Sequence, residues 1–333
     1  MSPTKVTQAM VMAAGLGTRL RPFTDLVAKP MLPLMGIPMA QFAFDLLTHH
    51  GVKKIVANVS HLAAETCEGL RALDLGNTTL EISDESQCLL GSGGGIKKAA
   101  AHFGREPFFL LNSDVLCDVD LAELERHHAR LRKEHGVLLT LAILVTGQIG
   151  SKYREILVDP ATRLITGLGE QAEQRPYFVG VAIVEPEALR NVPAGVAEFV
   201  PSILLPALKA GKAGAFLMQE CKWFDVGSPD LWQATHFSLI DLLEKGTIPE
   251  LWKKRLLEAN EKRADGGWSS KETQHSKSSH WKSPYYISVP DGAVEFCGPR
   301  AVFYATTPQT PAEQLVHEIE NGIGFGGLWA PLK

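Results

Sequence analysis

The segment MAAGLGTRLRPFTDLVAKP, residues 12–30, follows the apolar run QAMVM at residues 8–12 and turns glycine-rich and basic within a few positions. A strand that ends this abruptly at Gly15 and Gly17 has given up side chains for backbone freedom. Glycine reaches positive φ at no steric cost, so the turn can offer successive N–H groups to one ligand. Arg19 and Lys29 add full positive charges, and an arginine fork matches two phosphate oxygens at once. The segment therefore suits a polyphosphate. On glycine spacing alone it is equally a plain strand–helix turn carrying solvated cations. Two familiar phosphate motifs are excluded. GxxxxGK[ST] is absent, and GxGxxG fails at GLGTRL, where Leu20 takes the third glycine's place. The full match GIGFGG, 322–327, is followed by only six residues and has no room for the helix that motif opens.

Outward from this loop, the first two-thirds of the chain alternates strand and helix signals. PMAQFAFDLLTHHG (38–51) reads as a helix, with Phe42 and Leu46 four residues apart and Gly51 as its stop. KKIVANV (53–59) is β-branched, GGIKKAAAHFG (94–104) a short helix, and PFFLLN (107–112) a fully apolar strand. DLAELERHHARLRKEHG (120–136) predicts a helix capped by Asp120, with Glu123 three residues on. VLLTLAILV (137–145) is then a long buried strand. This alternation implies an α/β fold with a doubly wound, mainly parallel sheet, in which ligands lie outside the carboxyl ends of the strands. From Thr146, REILVD, LITGLGE and YFVGVAIVEP read as an inserted or edge β region. Helices return in 199–212 and 229–246. A charged amphipathic helix is expected in 248–263, a polar loop or linker in 264–284, and two short strands after it. The expected organisation is a catalytic domain at 1–243, a helix and linker at 244–283, and a small segment at 284–333. No tandem repeat is legible.

The chain of 333 residues has 45% hydrophobic and 21% charged residues, the composition of an ordinary globular protein. Its net charge of −4 argues against nucleic acid, and no apolar run approaches the roughly 20 residues of a membrane span. Cys67, Cys88, Cys117, Cys221 and Cys297 are scattered without a CxxC, as expected of reduced, mostly buried thiols in a cytoplasmic protein. The histidines show no metal spacing, and His127 and His128 are most simply solvated.

Three further stretches carry chemistry. In LLNSDVLCDVD (110–120) Asp114 stands just past an apolar strand, where a carboxylate faces a ligand; Asp118 and Asp120 fit turn and cap roles better. In CKWFDVGSPDLW (221–232) Asp225 lies between bulky apolar neighbours, so it is either buried with a partner or held toward a ligand. LLGSGGGIKKA (89–99) opens a helix with three consecutive glycines; it is either a place of close approach for something flat or anionic, or a loose loop. A basic turn and two separated aspartates suit Mg²⁺, which takes one or two carboxylates plus substrate phosphates. A phosphate monoester is already an oxyanion at pH 7, with a second pKa near about 6, so no general base is needed.

Residues 12–38, with LNSDV and WFDVGS, closely resemble the signature elements of the sugar-1-phosphate nucleotidyltransferases, and the resemblance covers roughly residues 8 to 243. The GSGGGI loop is most similar to the bacterial branch that contains N-acetylmuramate-1-phosphate uridylyltransferases of cell-wall sugar recycling; mannose-1-phosphate guanylyltransferases are close relatives. The resemblance implies the reaction NTP + sugar 1-phosphate → NDP-sugar + pyrophosphate. By matching positions, Ala14, Gly15, Gly17, Thr18 and Arg19 would hold the triphosphate, and Lys29 would neutralise the reacting phosphates. Asp114 and Asp225 would hold Mg²⁺. The loop from Gln87 to Gly94, including Gly93, would read base and ribose, with Asn112 beside the nucleotide. Glu170 and Gly180 match the sugar-contacting region more loosely. Ser113 replaces the usual glycine, Ser228 a threonine, and Val27-Ala28 a common Thr-Pro. Uridine is favoured by the resemblance alone. A non-catalytic nucleotide-sugar sensor is the main rival reading, and a dinucleotide-dependent oxidoreductase is disfavoured by Leu20. The sequence leaves residues 244–333 open between an oligomer contact, a lid and a specificity element, and a homo-oligomer is compatible with it.

Overall fold

Gln8–Met12 forms the expected strand (β1), and the glycine turn leaves from its carboxyl end. The structure, a computed structural model, describes residues 5–145, 153–171, 176–264 and 266–271, and the strand segments 285–288, 296–297, 301–304, 318–319, 322–325 and 328–331. The chain divides into two compact units, Met1–Leu16 with Ala43–Trp223, and Gly17–Phe42 with Phe224–Lys333. The boundary expected at 243 falls inside the second unit, one residue short of the end of a helix.

The first unit is built on a seven-stranded sheet. Its strands are β1, β2 (Lys54–Val59), β3 (Thr79–Asp84), β4 (Phe108–Asn112), β5 (Leu139–Leu144), β6 (Tyr177–Val184) and β7 (Ala213–Met218). In space they run β7-β5-β6-β4-β1-β2-β3. β1 is parallel to β2 and to β4, β2 to β3, and β5 to β7, which gives the mainly parallel sheet the sequence implied. Ala9, Met10 and Val11 are fully buried, as a central parallel strand requires. The helices are α1 (Met39–His50), through which the chain passes between the units, α2 (Ala63–Ala72), α3 (Gly91–Ala99) and α4 (Leu121–His135). Asp120 caps α4 by accepting the Glu123 N–H, and Gly136 ends it in the left-handed region.

Three sequence expectations change here. YFVGVAIV is no edge element: β6 lies between β4 and β5, antiparallel to both, with a register break between Phe178 and Ala182. Residues 179–184 are all buried, which only an interior strand can offer. The edge region is the hairpin Arg154–Val158 with Ile165–Gln171. His128 is not solvated. It falls on the buried stripe of α4 with Leu121, Leu124 and Leu131, and its ring nitrogens lie 2.8 Å from Thr140 Oγ1 and 3.2 Å from Glu185 Oε1. The four cysteines whose side chains are described, Cys67, Cys88, Cys117 and Cys221, are all free, yet only Cys117 is buried; Cys88 is exposed.

In the second unit, α5 is left to the first (Leu205–Lys209), and α6 (Pro229–Glu244) and α7 (Glu250–Ala259) follow. Trp232 of α6 meets Phe23 edge-on at 5.3 Å and donates its indole N–H to the Pro33 carbonyl. Trp252 of α7 packs against Phe42 and Phe224. The core of this unit therefore runs on past the boundary expected at 243, from Trp232 of α6 to Trp252 of α7.

The segment 264–284 was expected to be a loop. Trp268–Ser270 is instead a buried strand; residues 272–284 lie outside the described residues. A six-stranded sheet begins with β8 (Asn260–Lys262) and β9 (Trp268–Ser270) and continues through β10 (Tyr285–Ser288), β11 (Ala301–Tyr304), β12 (Gly322–Phe325) and β13 (Leu328–Pro331). β9, β10, β11 and β12 are parallel neighbours in chain order. A second parallel ladder, Phe296–Cys297 with Glu318–Ile319, comes from the connections. That is the strand order of a parallel β-solenoid, a repeat not legible in the sequence. Its coils share no motif: Trp268, Val302 and Ile323 are buried at matching register, and only their apolarity is common. The decoy GIGFGG begins in β12.

Candidate active site

In the first unit, two expected site elements leave adjacent strand ends. Met12 and Asn112 are register partners on parallel β1 and β4, so Ala13–Gly15 and Ser113–Asp114 emerge side by side at the carboxyl edge of the sheet. Ser113, where the family pattern has glycine, ties the two together: its N–H and hydroxyl both donate to the Met12 carbonyl. Ala14 is buried, Gly15 exposed, and nothing lies within 4 Å of where a Gly15 side chain would begin. That leaves the Gly15 backbone open to a ligand. Asp114 is half-buried in the turn after β4.

Asn112 closes β4, and Gly180 of β6 faces it. With φ at +85°, Gly180 sits where other residues are strained, and a Cβ there would lie 3.0 Å from Asn112 Nδ2. Glycine at 180 thus leaves the Asn112 amide its place. Glu170 lies in the hairpin strand Ile165–Gln171. Gln87 is exposed in the turn after β3. The glycines after it behave differently from expectation. Gly91 through Gly95 are inside α3, and what approaches them closely is the chain itself. A Cβ on Gly94 would collide with the Gly195 carbonyl, and one on Gly93 with Ser202 and the Glu198 backbone. The N–H groups of Gly93 and Gly94 donate to the Ala197 carbonyl, and Ser92 Oγ donates to Glu198. The anion at this helix start is the protein's own Glu198.

In the second unit, Gly17 takes φ +62° and opens the short turn Thr18–Leu20, with Leu20 buried and Thr18 and Arg19 exposed. Thr24 Oγ1 donates to the Gly17 carbonyl and braces the turn. A Cβ on Gly17 would lie 2.7 Å from Thr24 Cγ2 and 3.3 Å from Lys29 Cβ. Gly17→Ala combines that clash with left-handed strain and is expected to cost about 1–3 kcal/mol, read as a lowered denaturation midpoint. Lys29, half-buried, begins the turn Lys29–Met31. Gly227 brings two charged residues close: its missing Cβ would be 2.7 Å from an Arg19 guanidinium nitrogen and 3.0 Å from Asp225 Oδ1. Ser228, in place of the family's threonine, caps α6 by accepting the Leu231 N–H.

Among the described residues no nucleophile stands out by chemistry. Burial pushes the Cys117 thiol up to about 12 and raises Cys221 too, so neither is a thiolate at neutral pH. His236 is pushed down to about 4 by burial, its Nδ1 2.8 Å from the Trp232 carbonyl, and stays neutral. Sequence reasoning passed over Asn58 and Glu85. Asn58 Oδ1 accepts the Ala13 N–H, and its amide donates to Glu85. A polar pair at the ends of an apolar strand, ANVS, and a sheet-edge strand, ISDE, was the available signal. Among the described residues there is no group of three or more His, Cys, Asp or Glu placed to hold a metal, and no helix is long and apolar enough to cross a membrane.

The UTP–glucose-1-phosphate uridylyltransferase of Synechocystis is 31% identical over 259 residues, covering 73% of this chain and 66% of that protein. The mannose-1-phosphate guanyltransferase of Aspergillus oryzae is 29% identical over 250 residues, covering 72% and 66%. The chain spans just under two-thirds of the length of these relatives. Among solved structures, HddC from Yersinia pseudotuberculosis superposes with a TM-score of 0.59 at 21% identity, covering 70% of this chain and all of that one. The inositol-1-phosphate CTP transferase from T. maritima gives 0.58 at 19%, covering 73% and 98%. At such identities the likeness is one of fold. The family model for nucleotidyl transferases matches residues 8–239, well over half of the sequence, and the chain belongs to that family.

Proposed function

We propose that the protein transfers a nucleotidyl group from an NTP to a sugar 1-phosphate, giving an NDP-sugar and pyrophosphate. The observation that carries this reading is the Met12–Asn112 register, which sets an open glycine backbone and the Asp114 carboxylate on neighbouring strand ends. An oxygen of the sugar phosphate attacks the α-phosphorus of the NTP, the α–β P–O bond breaks, and its electron pair leaves with pyrophosphate. The attacking group is already anionic, so the chain's task is charge neutralisation and positioning. Ala14, Gly15, Gly17 and Thr18 hold the triphosphate through backbone and hydroxyl, Arg19 favours the departing pyrophosphate, and Lys29 offsets charge on the reacting phosphates. Gln87 and Asn112 face the nucleoside, and Glu170 and Gly180 the sugar; Gly93 and Gly94, expected there too, are taken up by the chain's own Ala197 carbonyl and Gly195.

Two carboxylates are a donor set of hard oxygens, which suits Mg²⁺ completed by phosphates and water. Asp114 and Asp225 would hold it, and the ion would supply charge neutralisation on the triphosphate. The first pair to test is UTP with N-acetylmuramate 1-phosphate, which would place the enzyme in cell-wall sugar recycling. GTP with mannose 1-phosphate is the second, because curated relatives include both uridylyl- and guanylyltransferases. A pyrophosphate-release screen of UTP, GTP, CTP and dTTP against a panel of sugar 1-phosphates tests the proposal. Turnover with one pair is expected. Tight nucleotide-sugar binding without pyrophosphate would favour a sensor instead.

A further inference from the structure

Across the carboxyl edge of the sheet runs a buried polar chain that the reaction scheme above does not use. Ala13, just after β1, donates its N–H to Asn58 Oδ1 at 2.8 Å. Asn58, near the end of β2, donates from Nδ2 to Glu85 Oε1 at 2.7 Å. Glu85, just after β3, accepts the Leu90 N–H on Oε2 at 3.0 Å. Asn58 is 4% exposed and Glu85 1%, so water does not substitute for either. Gly95 of α3 leaves the pair its space: a Cβ there would come 2.6 Å from Glu85 Oε1 and 2.9 Å from Asn58 Nδ2. A buried carboxylate is costly unless its oxygens are satisfied, and here each oxygen has one donor. The two ends of the chain are Ala13, which enters the glycine turn, and Leu90, which closes the 85–90 loop.

We propose that Asn58 and Glu85 are positioning residues that lock the glycine turn to the 85–90 loop, so that the triphosphate-binding and nucleoside-binding backbones are held in one fixed register. The idea rests on the nucleotidyl-transfer reading for what the two loops bind. Hydrogen-bond direction makes it testable. In Glu85→Gln one acceptor becomes a donor, so one of the N–H groups of Ala13, Asn58 or Leu90 must lose its partner whichever way the amides flip. Adding Asn58→Asp reverses the middle bond and restores every partner: the aspartate accepts from Ala13 and from the glutamine amide, and the glutamine carbonyl accepts from Leu90. The pair's net charge is unchanged.

The experiment measures KM for the NTP that the wild type uses, KM for its sugar 1-phosphate, and amide hydrogen exchange at Ala13 and Leu90. Glu85→Gln is expected to raise the NTP KM about tenfold, the scale of one buried donor left unpaired, with the sugar-phosphate KM within about twofold. Exchange at Ala13 or Leu90 should quicken. The Asn58→Asp/Glu85→Gln double variant should recover both readouts. An unchanged NTP KM, parallel rises in both KM values, or a double variant no better than the single one would overturn the inference, as would unaltered exchange at both amides. If the wild type turns over none of the four nucleotides, the functional reading fails instead, and the exchange arm still decides whether the two loops are coupled.

Discussion

Asp114→Asn and Asp225→Asn should each lower kcat by on the order of 10²-fold or more, with little change in the denaturation midpoint. Asparagine keeps the size and most of the hydrogen-bonding shape of aspartate, so the loss reports charge. Both side chains are half-buried, so water still reaches each site after the substitution. If both carboxylates hold one ion, their effects do not add, and the double variant should be little worse than the poorer single one. Mn²⁺ titrated in place of Mg²⁺ and followed by its own spectroscopic signal gives a readout free of turnover. Each variant should weaken that binding. Near-normal turnover in both variants would reject the metal assignment outright.

The legible part of the molecule was the part in which one physical constraint acts on neighbouring residues. β1 reads as a strand because Ala9, Met10 and Val11 are buried, and its end reads as a turn because Gly17 occupies a conformation that other residues resist. Asp120 was legible as a cap because capping is settled within three residues. β6 was misplaced because direction and position in a sheet are set by partners far along the chain. Its apolar run fits an edge insertion or a central strand until β4 and β5 are seen beside it. The solenoid was missed for a related reason: stacking needs buried residues at matching register, and Trp268, Val302 and Ile323 meet that need with three different shapes.

Within the candidate site, the charged residues were easier to find than the polar residues that hold the backbone. Arg19 and Lys29 announce themselves by charge beside glycine. Asn58 and Glu85 are common residues at strand ends, and only the contacts with Ala13 and Leu90 give them a role. The glycines of α3 show the opposite error. Their freedom reads as room for a ligand, whereas Gly195, Glu198 and Ser202 of the same chain already occupy the side where their Cβ atoms would lie.

Lys29→Ala should lower kcat by on the order of 10²-fold without loosening the fold. The reason lies in which atoms of Lys29 touch the glycine turn. Its Cβ is the atom that would lie 3.3 Å from a side chain on Gly17, and alanine keeps that atom. The turn Lys29–Met31 depends on Pro30 and on the Leu32 N–H donating to the Lys29 carbonyl, both of which survive the change. What alanine removes is the stem and the ammonium charge. A unit charge acting at about 4 Å in an effective dielectric near 20 is worth roughly 4 kcal/mol, so a loss of on the order of 10²-fold leaves room for partial screening. Lys29→Arg keeps the charge but moves it, and should retain more activity than alanine while falling below the wild type. Circular dichroism and the denaturation midpoint should match the wild type in both variants. Unchanged kcat in Lys29→Ala would make the lysine a surface cation, and a collapsed midpoint would make it a structural one.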